Sequence, residues 1–185
     1  WTDRMQNPGH TMTTARLTLR PVTDQDATAI VAAIGDFEVL RWLSRAPFPY
    51  GVSDAQTFIA KNSEHPGSVW MIEARARLVG CIGRRREFGY WLARRAWGQG
   101  YATEAGRAVL DLHFADPSAP GLLSGYHVGN TRSARVLHKL GFRACEDRVV
   151  FAEAEQREVR VKGMRMERAD YAAMRSAGAE AEHHG

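Results

Sequence analysis

The sequence predicts an α+β domain built around a mixed sheet, and three observations lead there. Segments that alternate apolar and polar residues are interspersed with segments of helical period. Their order reads β-α-α-β-β-β-α-β-α-β-β with a short closing helix, and no repeat or linker divides it. At 185 residues and 44% hydrophobic content, the chain can bury one sizeable core. The domain is expected over residues 16–175, with a flexible extension over 1–15 and a disordered tail over 176–185.

Arg16–Pro21 alternates with Leu17 and Leu19 on one face, as a half-buried strand requires. Thr23 then reads as the cap of a helix whose apolar side carries Ala27, Ile30, Val31 and Ile34, with Gly35 as a bend or end. Glu38–Gly51 reads as a partly helical turn and an irregular loop. Ser53-Asp54-Ala55-Gln56 has the form of a capping box and predicts a second helix to about Lys61.

Val69–Ala74 and Leu78–Arg84 are expected as a hairpin, although its turn lacks the Asn-Gly signal. Glu87–Leu92 is the next strand. The period then changes: Ala102, Ala105, Val109, Leu110 and His113 share one helical face between Gly100 and Ala115. Gly121–Val128 is a strand, followed by a helix capped by Asn130 and stopped at Gly141. Strands at Phe142–Val150 and Val159–Glu167 and a helix near Ala169–Arg175 complete the domain.

Composition removes several function classes. No apolar run approaches the roughly 20 residues that span a bilayer, and the N-terminal stretch lacks a signal peptide's apolar segment. Cys81 and Cys145 form no CxxC pair, so a reducing cytoplasm is expected. The seven histidines show no ligand spacing, and no metal is predicted; His183 and His184 read as solvated tail residues. A net charge of +4 raises nucleic acid as a partner. The basic residues are scattered, however, and their densest run is Arg84–Arg86, so no nucleic-acid partner is expected.

The chemistry centres on Arg95-Ala96-Trp97-Gly98-Gln99-Gly100-Tyr101-Ala102, between a strand and a helix. Gly98 and Gly100 free the backbone for tight conformations, and the following helix presents unpaired N–H groups and a positive dipole end. Such a loop can cradle a pyrophosphate, with Arg95 adding charge. It can equally be a structural turn. A P-loop would need Gly-Lys-Ser/Thr, and a dinucleotide fingerprint would need glycine where Thr103 stands; both fail.

GYWLARRAWGQGYATEA resembles the central motif of the GNAT superfamily of acyl-CoA N-acyltransferases, with Arg95, Gly98 and Gly100 matching its [R/Q]-x-x-G-x-[G/A] pattern. NTRSARVLHKLGF, at Asn130–Phe142, resembles the next motif. It is most similar to the branch of ribosomal-protein N-terminal acetyltransferases, as is the opening RLTLRPVTDQDA. The resemblance implies a mainly antiparallel sheet flanked by helices, in which the parallel strands Glu87–Leu92 and Gly121–Val128 splay at the coenzyme A site. It places Trp91, Leu92 and Ala93 along the pantetheine arm, and Arg95, Trp97, Gly98, Gln99, Gly100, Tyr101 and Ala102 around the pyrophosphate.

By the same resemblance, acetyl-CoA is the acyl donor and a primary amine the acceptor, either a small molecule or a peptide N-terminus. Asn130 and Ser133 lie near the thioester, where Ser133 can protonate the departing thiolate, although Asn130 also reads simply as a helix cap. Glu87 is the candidate base, with a surface ion pair to Arg84, Arg85 or Arg86 as the competing account. An N–H near Leu92 would stabilise the oxyanion. Tyr126 is a further acid candidate, and His127, which could titrate near neutrality, reads rather as a packed or exposed strand-end residue. Trp42, Phe48 and Tyr50 are expected to line the acceptor pocket. A catalytically silent CoA-binding regulatory domain is the alternative function, and monomer and homodimer are both compatible.

Overall fold

The computed structural model describes residues 11–85 and 87–182, with 177–182 as backbone alone. Strands β1 (Met12–Thr13), β2 (Leu17–Pro21), β3 (Val69–Ala74), β4 (Arg77–Gly83) and β5 (Gly89–Leu92) form one antiparallel sheet in sequence order. Strands β6 (Leu122–His127), β7 (Arg143–Ala144), β8 (Arg148–Ala152) and β9 (Arg157–Met166) form the second sheet, with β9 pairing all three others. Helices α1 (Ala27–Ile34), α2 (Phe37–Leu40) and α3 (Val52–Ser63) precede β3. Helix α4 (Tyr101–Phe114) lies between β5 and β6, α5 (Thr131–Lys139) follows β6, and α6 (Arg168–Glu182) closes the chain.

Alternation along the first sheet feeds two cores. Leu17, Leu19, Trp70, Ile72 and Ile82 pack with α4 and α5 residues such as Val109, Leu110, Leu137 and Leu140. Met71, Leu78 and Cys81 face the other way and pack with Ile30, Ile34, Leu40 and Ile59 of α1–α3. The shift in β3–β4 register at Ile72/Glu73 lets both Val79 and Ile82 join the first core although they stand three positions apart.

Several local expectations are corrected. The 1–15 extension contains β1, which pairs with β2, and only residues 1–10 lie outside the description. Thr23 caps a 3-10 turn at Asp24–Asp26 before α1 begins. Helix α3 starts at Val52, because Asp54 accepts the Gly51 N–H at 2.8 Å, so Gly51 rather than Ser53 is the cap. The strand expected at Phe142–Val150 breaks into β7 and β8. The Glu146 carbonyl crosses so close to Gly163 that a Cβ there would sit 2.0 Å from it. The final helix runs to Glu182, through most of the stretch expected to be a disordered tail, while His183 and His184 lie outside the described residues.

The end of α5 follows expectation. Gly141 adopts φ +88°, with its N–H bonded to His138 and that of Phe142 to Leu137, the paired bonds of a Schellman stop. The β3–β4 turn carries positive φ at both central residues, 50° at Arg75 and 58° at Ala76, which suits Asn-Gly better. Replacing Arg75-Ala76 with Asn-Gly should therefore raise stability by about 1 kcal/mol in urea denaturation; no gain would mean that the turn is not strained.

Asp26 is 5% exposed. Burial pushes its carboxyl pKa up, but the Arg20 guanidinium at 2.7 and 2.9 Å, together with the Thr23 N–H and hydroxyl, holds it below the ordinary range. A lowered folded-state pKa stabilises above the unfolded value, and that contribution is lost as pH falls through the folded one. Asp26→Asn should cost about 2 kcal/mol at pH 7 and far less at about pH 2, by urea denaturation at both. An equal cost at both pH values would contradict this account.

Candidate active site

The site starts from ladder arithmetic. The Ala93 N–H bonds Val79 at 2.8 Å, and the β4–β5 register is constant, so Gly89, Trp91 and Ala93 exchange backbone bonds with β4. The N–H and C=O groups of Phe88, Tyr90 and Leu92 therefore point the other way, toward β6. On β6, the Val128 N–H bonds Arg160 at 2.9 Å, which turns Leu123, Gly125 and His127 toward β5.

Only the first of these facing positions meets its neighbour across the divide. The Phe88 N–H donates to the Leu123 carbonyl at 2.8 Å, and the buried Ser124 hydroxyl donates to the Phe88 carbonyl at 2.7 Å. The side chain of Ser124 thus takes the place of the next backbone donor. No ladder joins β5 to β6 beyond that point among the described residues. The two strands run the same way from a closed end at Phe88, and the cleft opens toward Leu92 and His127. The splayed pair implied by the family resemblance is present, with its strand starting at Gly89 rather than Glu87.

At the open end, Gly98 and Gly100 adopt φ +76° and +78°. Gly100 is the N-cap of α4 and carries no side chain to satisfy the first-turn amides. A Cβ on Gly98 would meet nothing within 4 Å, so its surroundings are open. This combination fits an anionic ligand: left-handed glycines, free amides and the positive end of a 14-residue helix.

Charge reaches the loop from an unexpected place. Arg95 is turned inward, donating to the Leu78 carbonyl at 2.8 Å, which pins the loop to β4. Arg16 stands beside Gly100 instead, with one nitrogen 3.3 Å from where a Cβ would lie. It is held there by Glu104 at 2.7 Å and by the Tyr101 ring at 5.0 Å. An open groove of about 870 Å³ continues from this point, bordered by Thr103, Arg107 and Lys139. Nothing local in RLTLRP signals the role of Arg16, because its neighbour is supplied by a helix some 85 residues away.

Trp97 spans the mouth. Its indole N–H donates to the Leu92 carbonyl at 2.9 Å, and the Arg132 guanidinium stacks 3.9 Å from its ring centroid. Gln99 donates to the Arg95 carbonyl at 3.0 Å and braces the loop. Tyr101 and Ala102 are buried in the core, leaving only their backbone to a ligand, whereas Trp91 and Ala93 face the second core.

Asn130 accepts the Ser133 N–H at 3.1 Å and caps α5. The Ser133 hydroxyl lies 3.0 Å from the Tyr90 hydroxyl, whose pKa burial pushes up to about 12. Nothing local in the sequence distinguishes Tyr90, since its alignment with the gap emerges only from strand register. Glu87, just outside the closed end, pairs with Arg148 of β8 at 2.7 Å rather than with Arg84 or Arg85, and both side chains remain over a third exposed.

The remaining candidates separate. His127 is buried, with its pKa lowered by burial against a hydrogen bond to the Arg41 backbone carbonyl that opposes the shift, and it bonds the Ser44 hydroxyl at 3.0 Å. Tyr126 packs against the first core. Trp42 packs edge-on to His127 beside Gly129, at the open end of β6. Phe48 is half-exposed against Phe37, and Tyr50 packs into the second core with its hydroxyl pushed up to about 12 by burial. The three aromatics thus occupy three different surroundings. No cluster of three or more His, Cys, Asp or Glu suited to a metal occurs among the described residues.

Comparison with known proteins agrees with this geometry. Residues 16–143 match the family model described as an acetyltransferase (GNAT) domain. The chain is 34% identical over 142 residues to the uncharacterized N-acetyltransferase YoaA of Bacillus subtilis (strain 168), covering 70% of this chain and 80% of that one. Mycobacterium smegmatis RimJ, solved in complex with CoA-disulfide, superposes with a TM-score of 0.72 at 21% identity, over 92% of this chain and 95% of that one. The microcin C7 self-immunity acetyltransferase MccE, solved with acetyl-CoA and AMP, gives 0.68 at 16% identity, over 89% and 99%. The parting of β5 from β6, the uncapped glycine loop before α4 and these likenesses agree: the chain belongs to the GNAT acetyltransferase family and is an acyltransferase.

Proposed function

We propose that the protein transfers acetyl from acetyl-CoA to a primary amine, by direct attack in a ternary complex. The observation that carries this reading is the β5–β6 cleft, whose facing edges share no ladder beyond Phe88 among the described residues and lead straight to the uncapped N-terminus of α4. The N–H and C=O groups of Tyr90, turned into the gap, suit a pantetheine arm lying like an added strand. The amides of residues 98–103 suit the pyrophosphate, with Arg16, Arg107 and Lys139 supplying positive charge nearby. Two solved neighbours carry CoA or acetyl-CoA by their descriptions, which supports the same donor here.

Acetyl-CoA supplies an electrophilic thioester carbonyl. The amine must be neutral to attack it, and Glu87, just outside the closed end, is the carboxylate assigned to accept the proton through water. The Leu92 N–H, turned into the gap, stabilises the oxyanion as charge develops. Ser133, on the first turn of α5, donates a hydrogen bond to the sulfur as it leaves. Asn130 holds that turn in place.

The acceptor is a protein N-terminus or a small amine. Trp42 at the open end of β6 is the aromatic best placed to meet either. We place the activity in the cytoplasm, consistent with two free thiols, one on β4 and one next to β7, and with the absence among described helices of any long and apolar enough to cross a membrane. A panel of Ser- and Ala-starting peptides, amino acids and aminoglycosides, assayed for acetyl-CoA-dependent thiol release, tests the reading. Transfer to at least one amine is expected. Tight acetyl-CoA binding without transfer to any of them would favour a silent CoA-binding domain, a reading compatible with the Glu87–Arg148 pair.

Two substitutions separate the roles. Gly100→Trp should weaken CoA binding by more than about tenfold in calorimetry, since the helix dipole and free amides lose their ligand; unchanged affinity in the folded variant would remove the loop from the donor site. Glu87→Gln should slow transfer by about 10²-fold below the amine's own pKa, and less as rising pH deprotonates the amine unaided. CoA affinity should stay within about twofold, as binding and proton transfer are separate terms. An unchanged rate and pH profile would show that Glu87 is only the partner of Arg148.

A further inference from the structure

Ser133 is fixed twice over. Its backbone N–H is bound by Asn130 at 3.1 Å, so its main chain cannot drift from the first turn of α5. Its hydroxyl lies 3.0 Å from the Tyr90 hydroxyl, which comes from the facing strand β5. The tyrosine ring is itself held edge-on against Phe88, with centroids 6.3 Å apart, directly above the last rung joining β5 to β6. The orientation of the Ser133 hydroxyl is thus set by the same strand that borders the cleft.

The direction of that hydrogen bond matters. Each hydroxyl has one proton and two acceptor lone pairs. If Ser133 donated to Tyr90, its proton would be spent within the protein. The Tyr90 proton would then be left with the Ser133 carbonyl at 3.5 Å, beyond a good O–H···O bond. If Tyr90 donates to Ser133, both hydroxyls use their better geometry and the serine proton is free to turn into the gap. An acceptor placed in the gap favours this second arrangement, since successive hydrogen bonds pointing the same way strengthen one another.

We propose that Tyr90 is a positioning residue for the transfer step: by donating to the Ser133 hydroxyl, it aims the serine proton at the sulfur that leaves. The inference rests on the acetyl-transfer reading and on Ser133 facing the thioester. In the step itself, the amine lone pair forms the C–N bond and the C–S electron pair passes to sulfur. The thiolate takes a hydrogen bond from Ser133, and the proton lost by the amine balances the reaction through the base and solvent. Tyr90 keeps its own proton throughout, in accord with the burial that disfavours its phenolate. It is therefore an orienting donor and not the acid.

The test is a double-mutant cycle of Tyr90→Phe, Ser133→Ala and the double variant. It uses single turnovers with saturating acetyl-CoA and the fastest amine from the panel above. Phenylalanine keeps the ring and removes only the hydroxyl. Tyr90→Phe should slow the chemical step about tenfold while the KM for acetyl-CoA and CoA affinity by calorimetry stay within about twofold. Ser133→Ala should be slower still, and the double variant should match Ser133→Ala within about twofold, because the tyrosine acts only through the serine. A Tyr90→Phe rate equal to wild type, losses that multiply in the double variant, or lost CoA affinity would overturn the proposal. A wild type that transfers to no amine would instead overturn the functional reading, and this proposal with it.

Discussion

One backbone rung, from the Phe88 N–H to the Leu123 carbonyl, determines where the molecule is solid and where it is open. Before it, two antiparallel sheets are each satisfied internally. Beyond it, β4 and β9 each claim one edge of β5 and β6 and leave the opposite edges without a ladder between them. A buried backbone amide without a partner is costly, so such edges persist only where water or a ligand can reach them. Ser124 ends the joined region by covering the Phe88 carbonyl with its hydroxyl. The cleft is thus a feature of strand register before it is a feature of side chains.

The remaining architecture holds the two sides of that cleft at fixed positions. Arg95 ties the glycine loop to Leu78, Trp97 ties it to Leu92, and Arg132 reaches across from α5 to stack on the same indole. Helix α4 is anchored from outside by Arg16 and Thr14, both bonded to Glu104. Two cores, one on each face of the first sheet, hold β4 and β5 between α4–α5 and α1–α3. Binding groups are therefore carried on elements that are already braced, which lowers the ordering cost when a ligand enters.

Much of this was legible in the sequence where the signal is local. Gly98 and Gly100 before an amphipathic helix, Asn130 before another, and Gly141 at its end each announced a conformation that the chain adopts. Apart from β1 and the β7–β8 break, the order of strands and helices follows from hydrophobic period. What stayed hidden depends on long-range register. Arg95 reads as a phosphate ligand by position, yet its side chain is spent on Leu78, and the cation beside the loop is Arg16. Glu87 pairs with Arg148, supplied by β8, and not with Arg84 or Arg85. Tyr90 could be recognised only once the parity of β5 was known. The break between β7 and β8 comes from the Glu146 carbonyl crowding Gly163, a contact no single segment displays.

The cleft as donor site can be examined amide by amide, by hydrogen exchange with and without CoA. Gly89, Trp91 and Ala93 are in the β4 ladder and should be slow in both states. Tyr90, Leu92 and residues 98–103 should exchange faster in the free protein and become protected together when CoA binds. Protection confined to other surfaces, with Tyr90 and Leu92 unchanged at saturating CoA, would contradict the placement of the donor between β5 and β6.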